Sequence, residues 1–138
     1  MFFVGNTAVN PAGSTISLQN VNVVRISDAY FSNNNQINIQ VELSRMSVIN
    51  SNFTLNDKNH IRGIDSTVTL DNVHMYNTSF KSSGHGFECI RCRHIGIQNS
   101  RFENLVTNGV GGAIKIETLF SQEPTPVSYI IDSSFEGN

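Results

Sequence analysis

Two cysteines and two histidines lie within ten residues and are the side chains of this chain best suited to chemistry. Cys89 and Cys92 form a Cys-x-x-Cys motif, with His85 before it and His94 after it. These residue types at this spacing can bind zinc, form a disulfide or act as a redox pair. Three residues of extended strand span about 10 Å, however, which exceeds the reach of a disulfide and is awkward for a tetrahedral metal site. We therefore expect two free thiols, with Cys92 buried in the core.

Charged side chains form two groups that could serve acid–base chemistry. The first group contains Asp57, Lys58, Arg62 and Asp65, and the second contains Glu88, Arg91, Arg93, Lys115 and Glu117. Polysaccharide lyases and hydrolases use clustered carboxylates with basic side chains, often together with Ca²⁺. Here the signs of the charges alternate and no Asp-x-Asp pair occurs, so we interpret both groups as solvated pairs between strands. We predict no catalytic residue, no metal ligand and no cofactor.

The composition narrows the class of protein. The chain has a formal net charge of −2 with only 14% charged residues, and it therefore lacks the basic face that a nucleic-acid partner requires. No apolar run reaches the roughly 18 residues that a membrane span needs. The first residues lack the basic start and the apolar core of a signal peptide. Abundant Asn and Ser favour turns and strands over helix interiors.

A repeated hexapeptide predicts the elements that position these side chains. An apolar residue is followed by any residue, by Asn or Asp, by two further residues and by Phe. Each copy carries its Asn or Asp three residues before the Phe, and the pairs are Asp28 with Phe31, Asn50 with Phe53, Asn77 with Phe80, Asn99 with Phe102, and Asp132 with Phe135. Two of the steps between Phe residues are 22 residues long and the others are longer. A recurrent unit with insertions indicates a stacked repeat.

The repeat predicts an all-β fold, a right-handed parallel β-helix of five to six coils that forms one domain over residues 1–138. The residues seven and five positions before each Phe, apolar except for Ser128, would share the inner face of a strand. The Phe residues would stack in the core, and the Asn and Asp residues would form a ladder that bonds along the axis and to turn backbone. An antiparallel β-sandwich also explains the alternation, but it does not explain the fixed offset of three.

Both ends of the chain lie within a copy of the motif. Phe3 stands near the start, and the last residues are Phe135-Glu-Gly-Asn138. A β-helix with open ends exposes its core and unpaired strand edges, so natural ones are capped. We therefore expect a segment of a longer chain, with the rest of that chain as its partner at both open ends.

The stretch from Phe102 to Ile114 resembles the repeat of the chlamydial polymorphic outer membrane proteins. Those repeats pair Gly-Gly-Ala-Ile, present here at residues 111–114, with Phe-x-x-Asn, present at residues 3–6, 31–34, 53–56 and 135–138. The resemblance implies a pectin-lyase-like right-handed β-helix that is exposed on a surface and serves adhesion or forms a stalk.

Three functions remain open. We expect a non-enzymatic structural or adhesive segment of a large surface or extracellular protein, with other proteins or glycans as partners. The alternative is a carbohydrate-active or glycan-binding β-helix, similar to a polysaccharide lyase, a hydrolase or a tailspike. Its sugar platforms would be Tyr76, Phe87, Phe120 and Tyr129. A second alternative is a structural part of an intracellular assembly in a protist.

Two glycosylation sequons occur, Asn52-Phe-Thr54 and Asn77-Thr-Ser79. Asn77 is a predicted ladder residue and would be buried. We therefore expect Asn52 to be the glycan acceptor if a eukaryote secretes the protein.

Overall fold

A computed structural model describes residues 1–6, 13–77, 84–107, 112–117 and 128–138. These residues form strands and no helix. The strands are β1 (Phe2–Val4), β2 (Ser14–Gln19), β3 (Val24–Ser27), β4 (Tyr30–Ser32), β5 (Ile37–Glu42), β6 (Arg45–Thr54), β7 (Ile61–Ile64), β8 (Thr67–Tyr76), β9 (Phe87–Ile90), β10 (His94–Gln98), β11 (Arg101–Glu103), β12 (Ile114–Glu117), β13 (Ser128–Ile131) and β14 (Ser134–Glu136).

Every pair of neighbouring strands in the described residues is parallel and joins one coil to the next. One sheet has the order β12-β9-β7-β5-β2, and we call its outer side the first face. The other sheet is bent into a second face, formed by β3, β10, β13 and the first halves of β6 and β8, and a third face, formed by β1, β4, β11, β14 and the second halves of β6 and β8. The all-β parallel β-helix is therefore confirmed, and the antiparallel sandwich is excluded.

Left-handed backbone marks the three corners between these faces. Every described residue with a positive φ falls into one of three columns that run along the axis. The first corner contains Asn20, Leu43, Asp65 and Arg91; the second contains Asp28, Asn50, Asn72, Asn99 and Asp132; the third contains Gly5, Asn33, Leu55, Asn104 and Gly137. Asn, Asp and Gly tolerate this conformation best, so their recurrence explains why the chain turns where it does.

The core is one continuous cluster of inward side chains. Phe31, Phe53 and Phe102 are completely buried, and Met75 lies in register between Phe53 and Phe102. Because each coil leaves its apolar edge for the next coil to cover, no coil buries its core alone. Phe135 lies on the last strand and is 42% exposed.

The described strands make about four turns, fewer than the five to six coils expected. Of the unit of Phe3 the described residues contain one strand, β1, which pairs with β4 at the end of the stack. The right-handed sense stays a prediction. Within the described ranges, no helix has the length and apolar character needed to cross a membrane.

Candidate functional site

The second corner holds the outer asparagine column, which is exposed along its whole length. Its members are Asp28, Asn50, Asn72, Asn99 and Asp132. The side-chain amide of Asn72 donates to the Asn50 oxygen at 2.9 Å, and Asn50 donates to Asp28 at 3.4 Å. Asn99 instead donates to Asp71 at 3.0 Å. Asn72 occupies the place predicted for Asn77, because Asn72 precedes Met75 by the same three residues that separate Asn50 from Phe53.

A second column of asparagines lies inside the third corner and caps backbone groups; Asn34 and Asn56 are buried, Asn6 is partly exposed, and Asn138 is exposed at the end of the stack. The Asn56 oxygen accepts the N–H of Asn34 at 3.1 Å, and the Asn56 amide donates to the carbonyl of Phe31 at 3.3 Å. Asn138 repeats both contacts three coils further on, with the N–H of Leu105 and the carbonyl of Phe102, each at 2.9 Å. This inner asparagine column, which consists of Asn6, Asn34, Asn56 and Asn138, was not predicted as a ladder, although the Phe-x-x-Asn motif marks it.

Asn77 lies beside the inner column and not in the outer one. It is 1% exposed, and its side-chain amide donates to the carbonyl of Asn56 at 2.9 Å. Its burial was predicted, but its position in the outer column was wrong, because the third coil aligns on Met75. Phe80, the Phe assigned to the same unit, lies outside the described residues.

Serine hydroxyls cap the first and second corners in the same way. Ser51 Oγ accepts the N–H of Ala29 at 3.2 Å and donates to the carbonyl of Ile49 at 2.8 Å. Ser44, Ser66, Ser100 and Ser133 make equivalent pairs of contacts. Each hydroxyl satisfies a turn N–H that the strand ladders leave unpaired.

The Phe column stacks in two described pairs. The rings of Phe31 and Phe53 are 4.7 Å apart and nearly parallel, and those of Phe102 and Phe135 are 4.9 Å apart. His60 continues the first stack, because its ring lies 5.8 Å from that of Phe53. His60 is 1% exposed and neither ring nitrogen has a hydrogen-bond partner. Burial therefore lowers the pKa of His60 to about 3.

The two cysteines form a disulfide, which corrects the expectation of free thiols. The Cα atoms of Cys89 and Cys92 are 5.8 Å apart, well within disulfide reach. The expected separation assumed an extended strand, but β9 ends at Ile90 and Arg91 has a φ of 54°. The chain therefore turns between the cysteines, and neither sulfur is available as a zinc ligand.

Gly63 provides the space for this disulfide. It occupies the inward position of the third coil that is in register with Cys89 on the next coil. A methyl group at Gly63 would lie 3.2 Å from the Cys92 sulfur and 3.3 Å from the Cys89 sulfur. The small residue Gly63 and the bulky disulfide, which are distant in the sequence, are thus matched in size across two adjacent coils.

The two groups of charged residues interleave on and beside the first face. Glu88, which is 7% exposed, pairs with Arg62 at 3.1 Å on one neighbouring coil and with Lys115 at 3.2 Å on the other. Arg91 donates to both oxygens of Asp65, at 2.8 and 2.6 Å, and this hydrogen bonding lowers the pKa of the Asp65 carboxyl. These contacts are ion pairs between adjacent coils, as the alternating signs predicted. They differ from the expected solvated pairs between strands, because Glu88 is buried and the pair of Asp65 and Arg91 lies at the first corner.

On the third face, partly exposed aromatic side chains lie beside charged groups; on the second face, the ring of Tyr129 lies 5.8 Å from that of His94. His74 lies 2.8 Å from Glu103 and its ring is 6.0 Å from that of Tyr76. Arg101 pairs with Glu103 as well, and the hydrogen bond from His74 is the largest cause of a lowered pKa for Glu103. Tyr30 lies on the same face.

The predicted sugar platforms and the glycan acceptor differ in their exposure to solvent. Phe87 is completely buried and cannot offer a ring to a sugar, while Tyr129 lies against Gly96, where a Cβ would be 2.6 Å from its hydroxyl. Phe120 lies outside the described residues. Tyr76 is partly exposed and Asn52 is exposed on the same face, so the glycosylation of Asn52 stays a prediction.

Comparison with protein-family models, with curated proteins and with solved structures finds no match for this chain. The parallel β-helix therefore rests on the strand register alone.

Proposed function

We propose that this chain is a non-enzymatic β-helix segment of a large surface or extracellular protein, where it acts as a rigid structural or adhesive element. The observation that carries the proposal is that its polar side chains contact neighbouring coils. The inner asparagine column, the serine caps and the ion pairs of Glu88 all join one coil to the next. Contacts of this kind stiffen a stack along its axis, which is what a spacer or stalk requires.

The disulfide between Cys89 and Cys92 supports a location outside the cytosol. Disulfides persist in oxidising compartments and are rare where glutathione and thioredoxin keep thiols reduced. The bond therefore favours the surface protein over the intracellular assembly. The Gly-Gly-Ala-Ile and Phe-x-x-Asn motifs support the same proposal through their resemblance to the polymorphic outer membrane protein repeat and its pectin-lyase-like β-helix.

Protease shaving of intact source cells tests the location. An antibody raised against residues 92–98 would be used to blot denatured lysates, with a cytosolic protein blotted in parallel as a control for cell integrity. We expect a band far above 15.2 kDa that disappears after shaving. A large band that resists shaving would favour the intracellular assembly. A band near 15.2 kDa would contradict a segment of a large protein.

Glycan binding at the third face is the second candidate function. It is favoured by the position of Tyr76 beside His74 and Glu103, because an aromatic ring next to planar polar groups suits a sugar ring. A glycan array followed by titration tests it. We expect saturable oligosaccharide binding by the wild type that is lost in Tyr76→Ala. Tyr129→Ala is the control and should keep this binding, because it removes a ring from another face. Equal binding by both variants would exclude this face.

A further inference from the structure

A depression of about 160 Å³ lies along the first corner and crosses four coils. Its lining residues are Val21, Asn22, Leu43, Ser44, Arg45, Asp65, Thr67 and Arg93. It is small compared with the roughly 300–1,000 Å³ of a pocket that encloses a whole small molecule. The depression can therefore hold one functional group of a ligand, while the rest of the ligand stays on the surface.

Two arginines line this depression, and the charge of one of them, Arg93, contributes to the lowered pKa of Asp65. In the described part of the chain, neither Arg45 nor Arg93 takes part in an ion pair, and both are exposed. Arg45 and Arg93 lie two coils apart, because Arg45 pairs with Thr67 in the strand register and Thr67 pairs with His94, the neighbour of Arg93. Two coils span about 10 Å, and the long side chains of Arg45 and Arg93 line the same depression from either end.

The carboxylate at the depression is already neutralised. Asp65 binds the guanidinium of Arg91 through both oxygens, at 2.8 and 2.6 Å. This hydrogen bonding is the largest cause of its lowered pKa, so Asp65 is ionised and paired near neutral pH. The net charge that remains for a ligand is positive, and the neutral polar groups of Thr67 and Asn22 lie beside it.

We infer that Arg45 and Arg93 form a binding site for a single oxyanion, the sulfate or carboxylate group of an acidic polysaccharide. Guanidinium groups bind planar or tetrahedral oxyanions through paired, charge-assisted hydrogen bonds. The open form of the depression admits one group of a long polymer. The choice of a polysaccharide rests on the proposed surface function, whereas the oxyanion site itself depends only on the two arginines.

Calorimetric titration of the purified chain with a heparin-derived hexasaccharide tests the site. Inorganic sulfate at a matched sulfate concentration forms the second arm of the experiment. Arg45→Gln and Arg93→Gln are the test variants, and Arg25→Gln is the matched control, because Arg25 is an exposed arginine on β3 that does not line the depression. Thermal melts establish that all variants are folded.

Loss of about tenfold in affinity for the hexasaccharide in each test variant, with less than about twofold in Arg25→Gln, would support the site. Equal losses in all three variants would overturn it, since they would report general attraction to a polyanion. No binding by the wild-type chain would also overturn it. Binding of inorganic sulfate as tight as that of the hexasaccharide would support the oxyanion site and overturn the polysaccharide. Protease shaving of intact cells tests the surface location independently of this titration. The proposed surface function and the oxyanion site can therefore fail separately.

Discussion

The two asparagine columns use the same residue type for different physical purposes. In the outer column, Asn50 and Asn99 are exposed, adopt a left-handed φ and bond mainly to other side chains. In the inner column, Asn34 and Asn56 are 1% exposed and bond to backbone groups. The outer asparagines are therefore valuable for the conformation they permit, and the inner ones for the hydrogen bonds they make. Four experiments test this distinction.

The largest effect is expected beside the inner column, at Phe53. This ring is completely buried between those of Phe31 and His60. Phe53→Ala should lower the free energy of unfolding by about 3–5 kcal/mol, because it leaves a cavity in the core. Urea denaturation measures the loss. Phe135→Ala is the matched control, since Phe135 is 42% exposed and should lose clearly less; equal losses would contradict the buried stack.

Asn56→Ala tests the inner column itself. The substitution leaves the N–H of Asn34 and the carbonyl of Phe31 without this partner in a buried corner. We expect a loss of about 1–3 kcal/mol, because the substitution removes two hydrogen bonds of a buried side chain and each contributes about 0.5–1.5 kcal/mol. Asn56→Gly should be equally damaging. If Asn56→Gly were as stable as the wild type, the inner asparagines would matter for backbone conformation and not for hydrogen bonds. The two columns would then serve the same purpose.

Acidification tests the buried ring of His60, which stacks on Phe53. Its pKa falls from 6.5 to about 3 in the folded chain, so the unfolded chain binds the proton first as the pH drops. The stability that neutral His60 contributes is fully present above pH 6.5 and is lost as the pH falls toward 3, by about 2 kcal/mol at pH 5.

Urea denaturation at pH 7.5 and pH 5 measures this term. His60→Phe keeps an aromatic ring against Phe53 and removes the titration, so its difference between the two pH values should be smaller by about the same 2 kcal/mol. An identical pH dependence in the wild type and the variant would show that His60 is not the group responsible.

The smallest effects are expected in the outer column. Asn99 has a φ of 50° and an exposed side chain. Asn99→Leu should cost about 1 kcal/mol, because a branched side chain is strained in left-handed backbone. Asn99→Gly should stay within about 0.5 kcal/mol of the wild type. Thermal melts of both variants separate the effects, and a glycine variant as unstable as the leucine variant would show that the amide bond to Asp71 matters instead.

The architecture could be predicted from the sequence because the spacing of apolar residues and of turn residues is repeated along the chain. The fixed offset between Asn and Phe holds in the structure even where the Phe is replaced, since Asn72 precedes Met75 by three residues. Anchoring the third unit on Phe80 shifted that coil by five residues. Met75 fills the same inward position, and an apolar side chain of similar volume cannot be told from Phe by spacing alone.

Other features depended on distances that a strand pattern cannot give. The disulfide was missed because the left-handed conformation of Arg91 is unusual for arginine, and it brings Cys89 and Cys92 together. The inner asparagine column had a sequence signal in Phe-x-x-Asn, but which of the two asparagines in each unit faces inward depends on the corner geometry. The depression at Arg45 and Arg93 joins four coils and has no motif at all.

The fit between Gly63 and the disulfide bears on how such a protein can grow. Solenoids lengthen when whole repeats are duplicated or exchanged, and this works when every repeat has the same contact surface. Here the small residue belongs to one coil and the bulky cross-link belongs to the next. Copying the disulfide-bearing coil onto itself would place a second disulfide where Gly63 now leaves room. The unit that can be recombined is therefore the pair of coils, which must be inherited together.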